Sequence, residues 1–213
     1  MVIKITILKS GNLAEFIGIM LGDGNLYSQE STGNYQIRIA FNSIIEKDYL
    51  LFVKSLIQKL FCKDSYIKNV KNKKCLHLCL SNKNLYYQLI KLGLKKKKIP
   101  VWIFKNKFYL RNCIRGLIDT DGSVFRMSKR DYRLIRIGFK NFNKKLLIGT
   151  RKALVSLNFH PSKIICNREF FLSRQNEVKR YEKEIGFNNL KNKKRFIRIA
   201  LSSSGQECLS LNV

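Results

Sequence analysis

Phe16-Ile-Gly-Ile-Met-Leu-Gly-Asp-Gly24 and Ile114-Arg-Gly-Leu-Ile-Asp-Thr-Asp-Gly122 are the stretches on which the reading turns. Both are largely apolar, both close on Asp-Gly, and they stand 98 residues apart. An aspartate in the last turn of a helix faces the negative end of the helix dipole, a local cost that a bound cation would remove. A glycine after it suits the left-handed position that stops a helix. Gly18 and Gly22 are four apart and share one helix face, as do Gly116 and Thr120. Small residues on those faces let two helices approach closely. The expected helix interface is therefore Gly18, Gly22, Gly116 and Thr120, with Asp23 and Asp121 brought together at its end. Paired carboxylates repel one another and suit a hard divalent ion such as Mg²⁺, which tolerates water and phosphate in its shell. Phosphodiester hydrolysis by metal-activated water is the chemistry such a site permits.

The same shift of 98 aligns the flanks without a gap. Ile37, Arg38, Ile39, Phe41, Lys47, Lys54, Leu56, Phe61, Ile67 and Asn69 fall on Ile135, Arg136, Ile137, Phe139, Lys145, Lys152, Leu154, Phe159, Ile165 and Asn167. A duplication on this scale predicts pseudo-symmetry. Each half reads as a helix (12–23 or 110–121), two strands (26–42 or 124–140), a helix (46–60 or 144–158), then two more strands and a third helix. Ile37, Ile39 and Phe41 alternate as a core face, leaving Gln36, Arg38, Ala40 and Asn42 on the other; Ile135, Ile137 and Phe139 repeat the pattern against Leu134, Arg136, Gly138 and Lys140. The expected fold is α+β: two pseudo-symmetric half-domains over 1–98 and 110–213, each αββαββα, joined by 99–109. Val101 to Phe104 is apolar, which argues against a flexible linker there.

Composition narrows the partner. Lys and Arg number 42 against 14 acidic residues, a formal charge of +28 spread over a chain of 213 residues that is 45% hydrophobic. Such an imbalance would repel a compact fold unless a polyanion offset it, and nucleic acid is the expected partner. No apolar run reaches the ~18 residues of a membrane span, and Met1 to Ser10 alternates like a short strand, so a soluble, intracellular protein is expected. Cys62, Cys75, Cys79, Cys113, Cys166 and Cys208 lack a CxxC pair and read as reduced, buried thiols. Cys75, His77 and Cys79 share a strand face, but at ~3.3 Å per residue the outer two lie ~13 Å apart, too far for one zinc ion. His160, before Pro161, has no neighbours in sequence that complete a catalytic arrangement.

With both Asp-Gly segments in register, the chain resembles a single-chain, two-motif LAGLIDADG homing endonuclease. Ile99-Pro-Val-Trp-Ile-Phe before the second motif helix and Leu172-Ser173 followed by a helix ending Glu184-Ile-Gly-Phe187 resemble the family's linker and closing segment. The resemblance implies that Asp23 and Asp121 hold the metals, Mg²⁺ or another divalent ion such as Mn²⁺, with Ca²⁺ in a non-cleaving complex. It adds the carbonyls of Gly22 and Thr120 as ligands. It also implies a basic residue after the glycine that closes each third helix; Lys98 and Lys191 stand five residues beyond Gly93 and Gly186, within the runs Lys95 to Lys98 and Lys191 to Lys194. Asn42 and Lys140 match positions that order water around the site. Leu21 replaces an earlier acidic residue that Asp119 retains, a position that faces a helix cap.

The resemblance further implies four strands per half in curved antiparallel sheets, set side by side as a saddle that follows the major groove of double-stranded DNA. The expected DNA contacts are Gln36, Arg38, Asn42, Tyr66, Lys68 and His77 in the first half and Arg126, Arg136, Lys140 and Arg168 in the second. The polar residues differ between halves, so one monomer would read an asymmetric site. The charge also allows its own intron RNA as partner, and a splicing maturase of the same fold is the rival; a regulator that has lost catalysis and an intein endonuclease domain are weaker, the first because both acidic motifs are intact. Abundant Lys, Asn and Ile indicate an AT-rich genome, organellar or microbial.

Overall fold

The computed structural model describes residues 7–127 and 134–203. The first motif forms α1 (Gly11–Gly22), which begins where the Ser10 hydroxyl accepts a hydrogen bond from the Leu13 amide at 3.1 Å. The strand expected for Met1 to Ser10 falls mainly outside the described residues, and 7–10 is irregular. There follow β1 (Gly24–Gln29), β2 (Asn34–Asn42), α2 (Lys47–Phe61), β3 (Tyr66–Asn69), β4 (Cys75–Ser81) and α3 (Lys83–Lys91). A single helical turn, α4 (Val101–Phe104), leads into the second motif helix, α5 (Lys107–Asp121). Ile99 and Ile103 are buried, so the join packs on the core. The Asn106 side chain caps α5 by accepting from the Phe108 and Tyr109 amides, which starts the helix a few residues before the expected 110. The second half continues with β5 (Gly122–Arg126), β6 (Ile135–Lys140), α6 (Lys144–Ser156), β7 (Glu169–Leu172), α7 (Gln175–Glu184) and α8 (Leu190–Ser203).

Both sheets are antiparallel, ordered β1-β2-β4-β3 and β5-β6-β7. Among the described residues the second sheet has three strands where four were expected. The missing strand is reduced to a bridge from Ile165 to Glu169, because Cys166 and Asn167 both take left-handed backbone and turn the chain back within two residues. A second departure is α8, which extends the second half beyond αββαββα and packs against β5 and β6. The alternating residues of β2 and β6 point inward as expected: Ile37, Ile39, Phe41, Ile135, Ile137 and Phe139 are each at most 5% exposed.

At the centre α1 packs on α5, and the backbones meet at glycine. A Cβ on Gly18 would collide with the Cys113 carbonyl and sit 3.1 Å from the Leu117 nitrogen; one on Gly116 would collide with the Glu15 carbonyl and sit 2.9 Å from the Ile19 nitrogen. Glu15 and Ile19 lie 98 residues before Cys113 and Leu117, so the two contacts are pseudo-symmetric copies. The glycines closing the motifs have a different reason from the one anticipated. Gly24 and Gly122 are not left-handed but open β1 and β5, and a Cβ there would collide with Met20 or Ile118 at the preceding helix end.

Of the thiols, Cys79 and Cys113 are buried, whereas Cys62 and Cys166 are exposed in left-handed turns, contrary to expectation; Cys208 lies outside the described residues. His160 is not isolated but pairs with the buried carboxylate of Glu177, which also accepts from the His160 amide. Among the described residues no helix is long and apolar enough to cross a membrane.

Candidate active site and nucleic-acid face

Asp23 caps α1 and Asp121 ends α5, so the crossing of the two helices carries both carboxylates to one place. A Cβ on Gly22 would collide with the Thr120 side chain and come within 3.2 Å of an Asp121 carboxylate oxygen. Thr120 turns its hydroxyl back on its own helix, donating to the carbonyls of Gly116 and Leu117 at 3.0 Å. Burial first, then the charges of Asp121 and Glu46, push the Asp23 carboxyl up to about 7 against the pull of Lys191 and Lys97. Burial also raises Asp121, held down by a 2.7 Å hydrogen bond from the Asn141 amide and by the Lys97 charge.

The basic residues differ from expectation on one side. Lys98 is exposed, and its neighbour Lys97 turns inward, donating to the Gly24 carbonyl at 2.8 Å and acting on both aspartates. Gly93 and Lys97 are left-handed around the 3₁₀ turn Leu94–Lys96, whereas the second half runs from left-handed Gly186 through Asn189 straight into α8. Equal offsets from the two glycines therefore do not give equivalent positions. Lys191 does face the site, donating at 2.6 Å to Glu46, whose carboxylate also accepts from the Asn42 amide and the Asn189 side chain. Burial works to raise Glu46, and these donors more than offset it and hold it below the usual range.

At the strand ends the structure again shifts the role by a residue. Asn42 uses its side-chain oxygen to cap the turn into α2, accepting from the Ile44 and Ile45 amides. Lys140 is exposed, and Asn141 beside it is the residue bonded to Asp121. Glu46, Lys97 and Asn141 were not foreseen. The only sequence signal for them was an acid before a helix, a lysine run and a polar residue after a strand.

Beneath the aspartates lies a one-sided polar cluster. Arg115 makes two bonds to the buried Glu15, 2.6 and 3.0 Å long, and Asn188 donates to Glu15 as well. Asp119 is fully buried and accepts from the Asn188 amide, so it does face the segment leading into α8; burial pushes its carboxyl up to about 7. Leu21, the counterpart of Asp119, sits in the apolar core.

The outward face of the first sheet gathers all six expected residues. Strand register puts Gln36, Arg38 and Asn42 of β2 beside His77 of β4 and Tyr66 and Lys68 of β3. Arg38 lies 4.0 Å over the Tyr27 ring and donates to Gln36, which donates in turn to the Tyr66 hydroxyl. Burial and the charges of Arg38 and Lys68 hold His77 below its usual range, so this face is electropositive. In the second sheet Arg136 and Lys140 share the outward face. Arg126 lies opposite Ile135, on the other alternation, and Arg168 sits in the turn before β7; neither belongs to that face.

Comparison with known proteins places this geometry. Residues 15–122 match the model of the LAGLIDADG DNA endonuclease family, and residues 108–198 match a LAGLIDADG-like domain. An uncharacterized protein of Methanocaldococcus jannaschii is 26% identical over 68% of this chain and 53% of its own length. A DNA polymerase of the same organism is 30% identical over 68% of this chain but 9% of its own. The chain thus spans about half of one curated relative and under a tenth of the other. The crystal structure of I-DmoI in complex with DNA and Mn superposes with a TM-score of 0.57 at 23% identity, covering 83% of this chain and 96% of that one, which establishes a shared fold. The chain belongs to the LAGLIDADG DNA endonuclease family and carries two of its motifs on one polypeptide.

Proposed function

We propose that the protein is a site-specific, double-strand DNA endonuclease that uses divalent metal ions at Asp23 and Asp121. The observation that carries this reading is the convergence of the two half-buried carboxylates at the end of the glycine-packed helices, flanked by Lys97 and Lys191. The donor set fits a hard ion. The Asp121 charge adds to the cost of ionising Asp23, and no hydrogen bond reaches the Asp23 carboxylate among the described residues. Nor, among those residues, do three or more His, Cys, Asp or Glu side chains gather around one point. An ion held there by Asp23 and Asp121 would complete its shell with the carbonyls of Gly22 and Thr120, water and phosphate, as Mg²⁺ does.

Such an ion would activate water and offset charge at the scissile phosphate. The chain's own contributions are separate. The helix pair fixes the spacing of the carboxylates, Asn141 orients Asp121, and Lys97 and Lys191 bring positive charge to where the phosphate gains negative charge. Gln36, Arg38, Tyr66, Lys68, His77, Arg136 and Lys140 supply a basic surface for the duplex, and their asymmetry favours a non-palindromic site read by a monomer. I-DmoI was crystallised with DNA and with Mn or Ca, which supports the same partner and cation class here.

The test offers the purified protein the DNA that flanks its reading frame, rejoined as an uninterrupted duplex. With Mg²⁺ we expect cuts in both strands at one position. Asp23→Asn or Asp121→Asn should abolish cleavage while leaving sequence-specific binding in Ca²⁺ intact. Either variant cutting both strands at the wild-type rate would overturn the metal assignment. Tight, specific RNA binding with no cleavage of that DNA would favour a maturase instead.

A further inference from the structure

The two sheets offer different chemistry at matching positions. Tyr27 and Ala40 precede Phe125 and Gly138 by 98 residues, and His77 lies opposite Ala40 as Phe171 lies opposite Gly138. The pair Ala40 and His77 is thereby replaced by Gly138 and Phe171, and a register shifted by two residues brings Phe125 opposite Arg136, closer to Gly138 than Tyr27, opposite Gln36, is to Ala40. In the second sheet Val124, Ile137, Phe170 and Leu172 fill the core, so the alternation sends Phe125, Gly138 and Phe171 outward with Arg136 and Lys140. The two rings stand edge to face, centroids 6.0 Å apart, and a Cβ on Gly138 would come 3.1 Å from Phe125 and 3.2 Å from Phe171. The Arg136 guanidinium lies 4.8 Å from the Phe171 ring centre, and its buried Nε has no hydrogen-bond partner among the described residues.

We propose that Phe125, Gly138 and Phe171 form a thymine-reading surface, on which the 5-methyl groups of one or two thymines in the major groove pack against the rings. The inference rests on the DNA-binding reading above. Arginine and lysine share this face on a chain of charge +28, which points to a polyanion rather than an apolar protein partner. Of the four bases, only thymine presents a methyl group in the major groove. An unmethylated polar edge pressed on two phenyl rings would lose its hydrogen bonds to water without replacement, so the patch discriminates as well as attracts. On the first sheet the rings of that face belong to Tyr27 and Tyr66, and Gln36, Arg38 and the Tyr66 hydroxyl are joined by hydrogen bonds, so its surface offers polar atoms where the second offers phenyl rings.

The experiment selects binding sites from a pool of randomised duplexes in Ca²⁺, then replaces each thymine of the enriched site in turn by deoxyuridine, which removes only the methyl. Expected is an asymmetric site in which uracil weakens wild-type binding at one or two positions of one half-site, about fourfold each, the equivalent of ~0.8 kcal/mol per buried methyl. The uracil effect should vanish in Phe171→Ala and persist in Phe171→Leu. An enriched site that tolerates uracil everywhere overturns the thymine-reading surface alone, and needs no variant to fold. A pool from which no sequence is enriched overturns the DNA-binding reading itself.

Discussion

Adding one methyl group at Gly18 tests the whole geometry of the site. The Cβ of Gly18→Ala would press on backbone, the Cys113 carbonyl and the Leu117 nitrogen, and backbone inside a helix has no rotamer with which to give way. Relief requires α1 and α5 to part by roughly 1 Å, at an overpacking cost of ~1–3 kcal/mol. Replacing a mid-helix glycine by alanine returns ~0.5–1 kcal/mol, so the net loss should be about 1–2 kcal/mol. Cleavage should suffer more. The same separation moves Asp23 away from Asp121, and a misplacement of ~1 Å can cost about 100-fold in rate. Gly116→Ala should behave alike, since it meets Glu15 and Ile19 as Gly18 meets their counterparts. Gly149→Ala is the control: it lies within α6, and its added Cβ would meet nothing nearer than Ile99 at 4.0 Å. It should gain stability and cut normally. Urea denaturation gives the stabilities and single-turnover cleavage the rates. Gly18→Ala matching the wild type in both, or losing no more than Gly149→Ala, would refute the glycine-mediated approach of the motif helices.

Other outcomes follow from the same site. A carboxyl raised from 3.8 to about 7 binds its proton more tightly folded than unfolded, so Asp23 withdraws stability from the metal-free protein as pH climbs from about 4 to 7. At ~1.4 kcal/mol per pH unit the ceiling is about 4 kcal/mol, and solvent screening of a half-buried group leaves about 2 kcal/mol. Denaturation across that range should show the loss relative to Asp23→Asn, and Mg²⁺ at pH 8 should restore it in the wild type alone; parallel pH curves for the two proteins would refute it. Lys97→Met should slow cleavage at least ~10-fold while Lys98→Met stays near wild type, since placing positive charge at the phosphate requires proximity; equal effects in a cleavage assay would return the role to Lys98. Glu15→Leu or Arg115→Met should each destabilise by about 3–5 kcal/mol by stranding a buried charge, and the double variant should recover much of that; additive losses in a double-mutant cycle would contradict the pairing.

What could be read from the sequence is what repeats locally. The shift of 98 located both motif helices because Gly18, Asp23 and Gly24 recur as Gly116, Asp121 and Gly122, and β2 and β6 because their alternation is a period of two. The same arithmetic failed where backbone dihedrals decide. Lys98 and Lys191 are equally distant from a glycine, yet left-handed Lys97 takes the inward position because a 3₁₀ turn fills only one of the two loops. Left-handed Cys166 and Asn167 likewise cut short a strand that the register with Ile67 and Asn69 had promised. Gly24 and Gly122 were found for the wrong reason: the pattern shows that a side chain is excluded, but only packing against Met20 and Ile118 shows why.

The two levels of contact at the centre imply different constraints. Backbone contacts obey the pseudo-symmetry, Gly18 against Cys113 and Leu117, Gly116 against Glu15 and Ile19. Side chains do not. Glu15 and Arg115 pair across the helices, but their counterparts are Cys113 and Ile17, which are apolar and buried. A dimer of identical first halves would set Glu15 against Ile17 and strand a carboxylate; a dimer of second halves would strand Arg115. Only the combination within one chain satisfies both, and breaking a buried pair costs several kcal/mol while a well-packed apolar substitute often costs nothing. The ion pair therefore selects the mixed pairing of halves rather than strengthening it. It also frees each half to diverge. Once Glu15 and Arg115 fix which half faces which, the sheets need no longer match, and the aromatic row of the second can differ from the polar row of the first without weakening the helix interface that holds Asp23 beside Asp121.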